Sequence, residues 1–165
     1  MMLSESGQQL IEQYQLLHKN HKRFPGFSIK KQKHLIKAFI KKIDTHTILD
    51  YGCGKGKQYS DLRVHEDWGD VEITLYDPGY KPYSKRPDGT FDMVVCTDVM
   101  EHVAEEDVDA VLNDIFQYAR KGVFFCIFTG PSKKTLPDGR NCHVTVQDES
   151  WWKAKINAKV LLLNK

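Results

Sequence analysis

The 165 residues contain no apolar run near the ~20 needed to cross a bilayer, and the polar N-terminus lacks the pattern of a secretion signal. A cytoplasmic protein with no membrane partner is expected. Cysteine is scarce: Cys53, Cys96, Cys126 and Cys142 show no CxxC spacing, which argues against a zinc knuckle and for reduced thiols. Repeats and low-complexity tracts are lacking. So is any acidic residue between Gln13 and Ile43, although that stretch carries Lys19, Lys22, Arg23, Lys30, Lys31, Lys33, Lys37, Lys41 and Lys42. The net charge of +2 therefore hides a basic N-terminal segment and an acidic remainder. Such a segment suits RNA or a small anionic substrate; a solvated helix face is the plainer reading.

What is present fits one soluble domain, residues 1–165, with a basic helical extension over 1–45 and a core over 46–165. Helical periodicity is expected over 3–17 and 29–43, the second with Leu35, Ile36, Phe39, Ile40 and Ile43 on one face. Beyond residue 46, strands expected over 47–50, 71–76, 93–97 and 123–128 alternate with helices near 57–65 and over 105–120. A polar loop over 129–141 leads to a helix near 149–156, and 160–163 reads as a last edge strand. Alternating strands and helices imply a parallel, doubly wound α/β sheet.

Three glycines, Gly52, Gly54 and Gly56, follow the first strand directly and precede a helix. Glycine permits a sharp turn and a close ligand approach. Asp77 ends the next strand, where a carboxylate can accept hydrogen bonds from both hydroxyls of a ribose. A dinucleotide-binding fingerprint would space its glycines GxGxxG, whereas this chain has GxGxG.

The run Leu49-Asp50-Tyr51-Gly52-Cys53-Gly54-Lys55-Gly56 resembles the first motif of class I methyltransferases, and residues 91–103 resemble their fourth-strand motif. The order agrees from about residue 47 to 152, and the likeness is strongest to small phage and bacterial methyltransferase-domain proteins with a basic helical N-terminus. The resemblance implies a Rossmann-like sheet and S-adenosylmethionine as cofactor. It implies cofactor contacts from Asp50, Tyr51, Gly52, Cys53, Gly54, Gly56, Asp77, Pro78, Thr97 and Asp98. Two departures mark a compact variant. About a dozen residues separate Asp77 from Phe91 where the family has a helix and a strand, leaving Asp88 as a positional candidate for an adenine contact. The usual final hairpin strand is also missing.

Asp98, Glu101 and His102 fall at i, i+3 and i+4 after the third strand, and His143 follows the fourth. Two carboxylates and two imidazoles suit a divalent cation: magnesium through the carboxylates; manganese, iron or zinc through the histidines. The set resembles that of ubiquinone-pathway O-methyltransferases and of small-RNA 3′-terminal 2′-O-methyltransferases. The competing reading has the Glu-His pair cap a helix or pack under the cofactor, with His143 as a general base. On the metal reading, His143 and Asp98 are the catalytic residues, and methyl goes to a hydroxyl of a small molecule or an RNA ribose. DNA amine methylation is disfavoured, because no Asn/Asp-Pro-Pro-aromatic motif follows the strand. A cofactor-binding module without catalysis, or an enzyme using the cofactor without transferring methyl, remains as the alternative. Trp151 and Trp152 are candidates for stacking on a substrate ring or for core packing.

Overall fold

The computed structural model describes residues 2–20 and 22–163. Helices α1 (Glu5–His18) and α2 (Ile29–Ile43) precede β1 (Thr47–Tyr51), a one-turn α3 (Lys57–Ser60) and β2 (Glu72–Tyr76). β3 (Phe91–Thr97), α4 (Val108–Tyr118), β4 (Ala119–Cys126) and α5 (Glu149–Leu163) complete the order. The four strands form one sheet, β2-β1-β3-β4, with every pairing parallel. Only a 3₁₀ turn, Lys81–Tyr83, lies between β2 and β3, as the compact variant requires.

Neighbouring residues of the central strands feed opposite faces, the period-2 rule of a strand. Ile48, Met93 and Val95 pack on Ile29, Ile36 and Ile40 of α2. Leu49, Val94 and Cys96 pack on Val108, Val111, Leu112 and Ile115 of α4 and on Trp152 of α5. Burial on both faces makes β3 uniformly apolar apart from Asp92 and Thr97. A third cluster, with Leu10, Ala104, Leu136 and Cys142, docks α1 on the loops that leave β3 and β4. Among the described residues, no helix is long and apolar enough to cross a membrane.

Four expectations are corrected. Residues 160–163 continue α5 rather than form a strand, since short apolar runs carry no period of their own and Lys155 and Lys159 pin the helix to Asp109 of α4. The helix near 57–65 stops at Ser60, and Arg63 turns left-handed (φ +50°). Val64 and Trp68 beyond that turn are buried. The helix over 105–120 gives up Ala119 and Arg120 to β4, whose charged beginning hid it among polar residues. Leu35, assigned to the apolar face of α2, is exposed.

Asp92 fastens the sheet at its N-terminal edge. Its buried carboxylate accepts from the amides of His46 (2.9 Å) and Thr47 (3.3 Å) and from Arg120 Nη2 (3.0 Å). The backbone donors at His46, together with Arg120 and Lys121, hold its pKa well below the usual carboxylate range. A depressed folded-state pKa adds stability above the ordinary range and loses it as pH falls through and below that range. Asp92→Ala is expected to cost about 3 kcal/mol at pH 7. The loss should appear in denaturant melts, and the gap to wild type should narrow towards pH 3.

Candidate functional site

In a doubly wound sheet, ligands bind beyond the carboxyl ends of the strands where the order reverses. Here that point lies between β1 and β3, whose ends open into a cavity of about 940 Å³. Of the expected cofactor residues, Tyr51, Gly52, Gly54, Asp77, Pro78, Thr97 and Asp98 line it, while Asp50, Cys53 and Gly56 stand off its wall. Helix α1 and the loop after it add a further wall: Leu10, Tyr14, His18 and Phe24 line the same space. Sequence reading missed these four, because nothing local marks which face of a polar helix closes a pocket.

The glycine turn is imposed by backbone geometry. Gly52 sits at φ +82°, and a Cβ there would lie 2.3 Å from Val99 Cγ2. Gly54 sits at φ +59°, against the carbonyl of Phe24, and its amide donates to Asp77 Oδ2 (2.8 Å). Asp77 Oδ1 accepts from the Gly79 amide (2.8 Å). Each carboxylate oxygen keeps a further lone pair, so the geometry leaves Asp77 able to receive ribose hydroxyls. Burial raises its pKa against the pull of these amides. The N-terminal segment clamps the turn from above: the amides of Lys55, Lys57 and Gln58 donate to the carbonyls of Phe24, Pro25 and Gly26.

Asp50 has a different setting. It is buried behind the turn, accepts from Gln58 Nε2 (2.7 Å), and burial pushes its pKa up to about 7. Gln58 Oε1 in turn accepts from the amide of Ile29 (3.0 Å), so this pair ties α2 to β1. His18 is buried between Phe24 and Tyr80, with Nδ1 unpartnered in the cavity wall. Burial, then the Lys55 charge, lowers its pKa to about 4. An orphaned ring nitrogen, a ribose-ready carboxylate and a glycine-lined entrance together fit a nucleoside-bearing cofactor.

Beyond β3, Asp98 adopts a left-handed conformation (φ +55°), and Met100–His102 form one 3₁₀ turn. Ligand atoms of Glu101, His102 and His143 all lie within 4.8 Å of one another. His102 Nδ1 is 2.9 Å from the carbonyl of Cys142, and His143 Nδ1 is 2.6 Å from that of Gly130. A carbonyl only accepts, so each ring carries its proton on Nδ1 and leaves the Nε2 lone pair free. Tyr14 donates to the same Cys142 carbonyl (2.8 Å) and fixes that corner.

Glu101 is fully buried. Its Oε1 accepts from the Phe128 amide (3.1 Å) and its Oε2 has no partner. Burial raises the Glu101 carboxyl to about 7 and lowers His102 to about 4. Two oriented imidazoles beside an orphaned buried carboxylate oxygen form a donor set that fits a divalent cation. Asp98 stands outside this group, because its left-handed turn breaks the shared face expected of a helix. It is open to the cavity instead, with the Cys126 thiol 3.9 Å from Oδ1.

Three other candidates leave the site. Trp152 is buried in the main core and Trp151 packs edge-to-face on it (4.8 Å). Asp88 is exposed beside Lys85 and off the cavity wall. Where the helix is missing, the exposed Arg86, which lines the cavity, binds the buried Asp114, which also accepts from the Tyr51 hydroxyl (2.9 Å).

Residues 12–155 match the family model described as a methyltransferase domain. Among curated proteins none matches. The chain resembles a solved structure described as the DhpI-SAH complex, at 15% identity and a TM-score of 0.58, covering 94% of this chain and 88% of that one. With the match spanning most of the chain, the chain belongs to the methyltransferase-domain family, as an S-adenosylmethionine-dependent methyltransferase of class I fold.

Proposed function

We propose that this enzyme transfers the methyl group of S-adenosylmethionine to a substrate hydroxyl beside a divalent cation held by Glu101, His102 and His143, with Asp98 facing the same space. The observation that carries this reading is the convergence of ligand atoms of those three side chains within 4.8 Å, with Nδ1 of each ring against a backbone carbonyl and Glu101 Oε2 unpartnered. The set favours manganese, iron or zinc over magnesium. When bound, the cation supplies Lewis-acid polarisation of substrate oxygens.

The chain's own residues do the rest. The Gly52–Gly54 turn and Asp77 hold the cofactor, as the geometry of the turn supports. The sulfonium methyl is already activated, so catalysis rests on aligning the acceptor oxygen with it and excluding water. Tyr14, His18 and Phe24 close the space from the N-terminal side.

The test is a pair of calorimetric titrations on metal-stripped protein, with Mn²⁺ and with S-adenosylmethionine. His143→Ala is expected to weaken Mn²⁺ binding at least about 100-fold while cofactor affinity stays within twofold. Release of S-adenosylhomocysteine over a panel of hydroxyl acceptors should then disappear. Full activity of the variant with a chelator present overturns the proposal.

A further inference from the structure

We infer that the acceptor is a small anion, a hydroxyl compound bearing a carboxylate or phosphate, whose charge is held at the cavity rim between Lys31 and Lys134. The inference rests on the reading of the cavity as a methyl-transfer site and specifies what enters it.

The basic face of α2 is divided in two. Lys33 and Lys37 both pair with Asp67, at 3.2 and 3.1 Å, so one carboxylate offsets part of the charge on that side. Lys30 and Lys31 in the first turn line the cavity instead, and that turn carries no acid. From across the opening, Lys133 and Lys134 of the loop after β4 line the same space. Among the described residues, none of these four makes a salt bridge, and two of the cavity's acids are held by N–H or O–H donors while Asp98 and Glu101 Oε2 are not. Asp107 accepts from Ser4, and Asp77 from the glycine amides.

The two inner lysines line the same cavity as the Glu101–His102–His143 group. The Phe24 ring centre lies 5.9 Å from that of His102. Lys134 Nζ sits 4.9 Å from the Phe24 ring centre, which fixes it over the opening. Ser28, just before α2, meets Thr97 at 2.7 Å and so anchors the start of the helix at the end of β3. The dipole of α2, a helix of fifteen residues, adds positive potential at that end. Phe128, half exposed beside His143 (5.4 Å between ring centres), supplies an apolar wall for the body of the acceptor.

A fixed negative charge between these lysines, with the hydroxyl at the Glu101–His102–His143 group, positions the acceptor by two points. Lysines turned into a cavity roofed by α1 fit a small molecule. A phosphate track for RNA would need them along the outer face of α2, where Lys33 and Lys37 are turned to Asp67.

The experiment uses full-length, metal-stripped protein saturated with S-adenosylhomocysteine at low salt, titrated separately with pyrophosphate and with citrate. At least one is expected to bind with Kd below about 1 mM, and the preferred anion separates phosphate from carboxylate chemistry. The double variant Lys31→Ala/Lys134→Ala should raise that Kd at least about tenfold with S-adenosylhomocysteine affinity unchanged. Lys33→Ala/Lys37→Ala should leave it as it was.

Failure of both anions to bind, or equal loss in the two double variants, overturns the inference. So does a matching fall in S-adenosylhomocysteine affinity, which would assign the lysines to the cofactor's carboxylate. Tighter, steeply salt-dependent binding of a twelve-nucleotide RNA, lost with Lys33 and Lys37, overturns it in favour of a polyanion. Anion binding without S-adenosylhomocysteine binding would keep the subsite and remove the methyl-transfer reading.

Discussion

Replacing Gly52 by valine is expected to reduce S-adenosylmethionine affinity at least about 100-fold and to destabilise the fold by about 3 kcal/mol. Two independent penalties add here. At φ +82° a side chain places Cβ against its own backbone, a cost of about 1–2 kcal/mol that β-branching increases. The new Cβ also meets Val99 Cγ2 at 2.3 Å, and Val99 packs against the main core, so it has little room to retreat. The turn must then open, which moves the Gly54 amide off Asp77 and breaks the cofactor site at both ends. Gly52→Ala should fall between wild type and valine. Calorimetric titration with S-adenosylmethionine and urea melts measure the two effects; wild-type affinity in the valine variant would show that the turn does not touch the cofactor.

Glu101→Gln is expected to do the opposite to stability. In the metal-free protein a fully buried carboxylate has one oxygen bonded to the Phe128 amide and the other unpartnered. An unsatisfied buried polar group costs about 1–3 kcal/mol, and a charged one more than an amide. Glutamine keeps the Phe128 bond and removes the charge, so metal-free stability should rise by about 1–2 kcal/mol, or roughly 3–6 °C in Tm for a chain of this size. The thermal shift produced by Mn²⁺ should vanish in the same variant. Gain of stability with loss of ligand response marks a residue kept for function at the expense of the fold. A destabilised variant that still responds to Mn²⁺ would make Glu101 a packing residue.

The sheet, its parallel sense and the glycine turn were legible in the sequence, because each leaves a local mark. β3 reads as a strand from its run of apolar residues, α2 as a helix from the spacing of Ile36 and Ile40, and the turn from glycines at alternate positions. Element edges were less so. β4 begins at Ala119 rather than near Val123, since Arg120 and Lys121 are charged and pair only with Asp92, 28 and 29 positions earlier in the chain. The final apolar residues joined α5 because Asp109 of α4 lies within reach of Lys155 and Lys159, a fact of packing with no local trace.

At the site the division is sharper. Residue types and spacing nominated Asp77, Glu101, His102 and His143, because metal and ribose chemistry admit few side chains. The cofactor followed from the resemblance of residues 49–56 and 91–103 to class I methyltransferases. Tertiary structure decided which of the nominated residues act together. Asp98 leaves the group because its backbone turns left-handed, and Asp50 turns inward to Gln58 and away from the cavity. It also brought Tyr14, His18, Lys31 and Lys134, far apart in the chain, to the wall of one cavity beyond the strand ends. Chemistry is written in residue type and short spacing; distance between segments exists only once the core has closed.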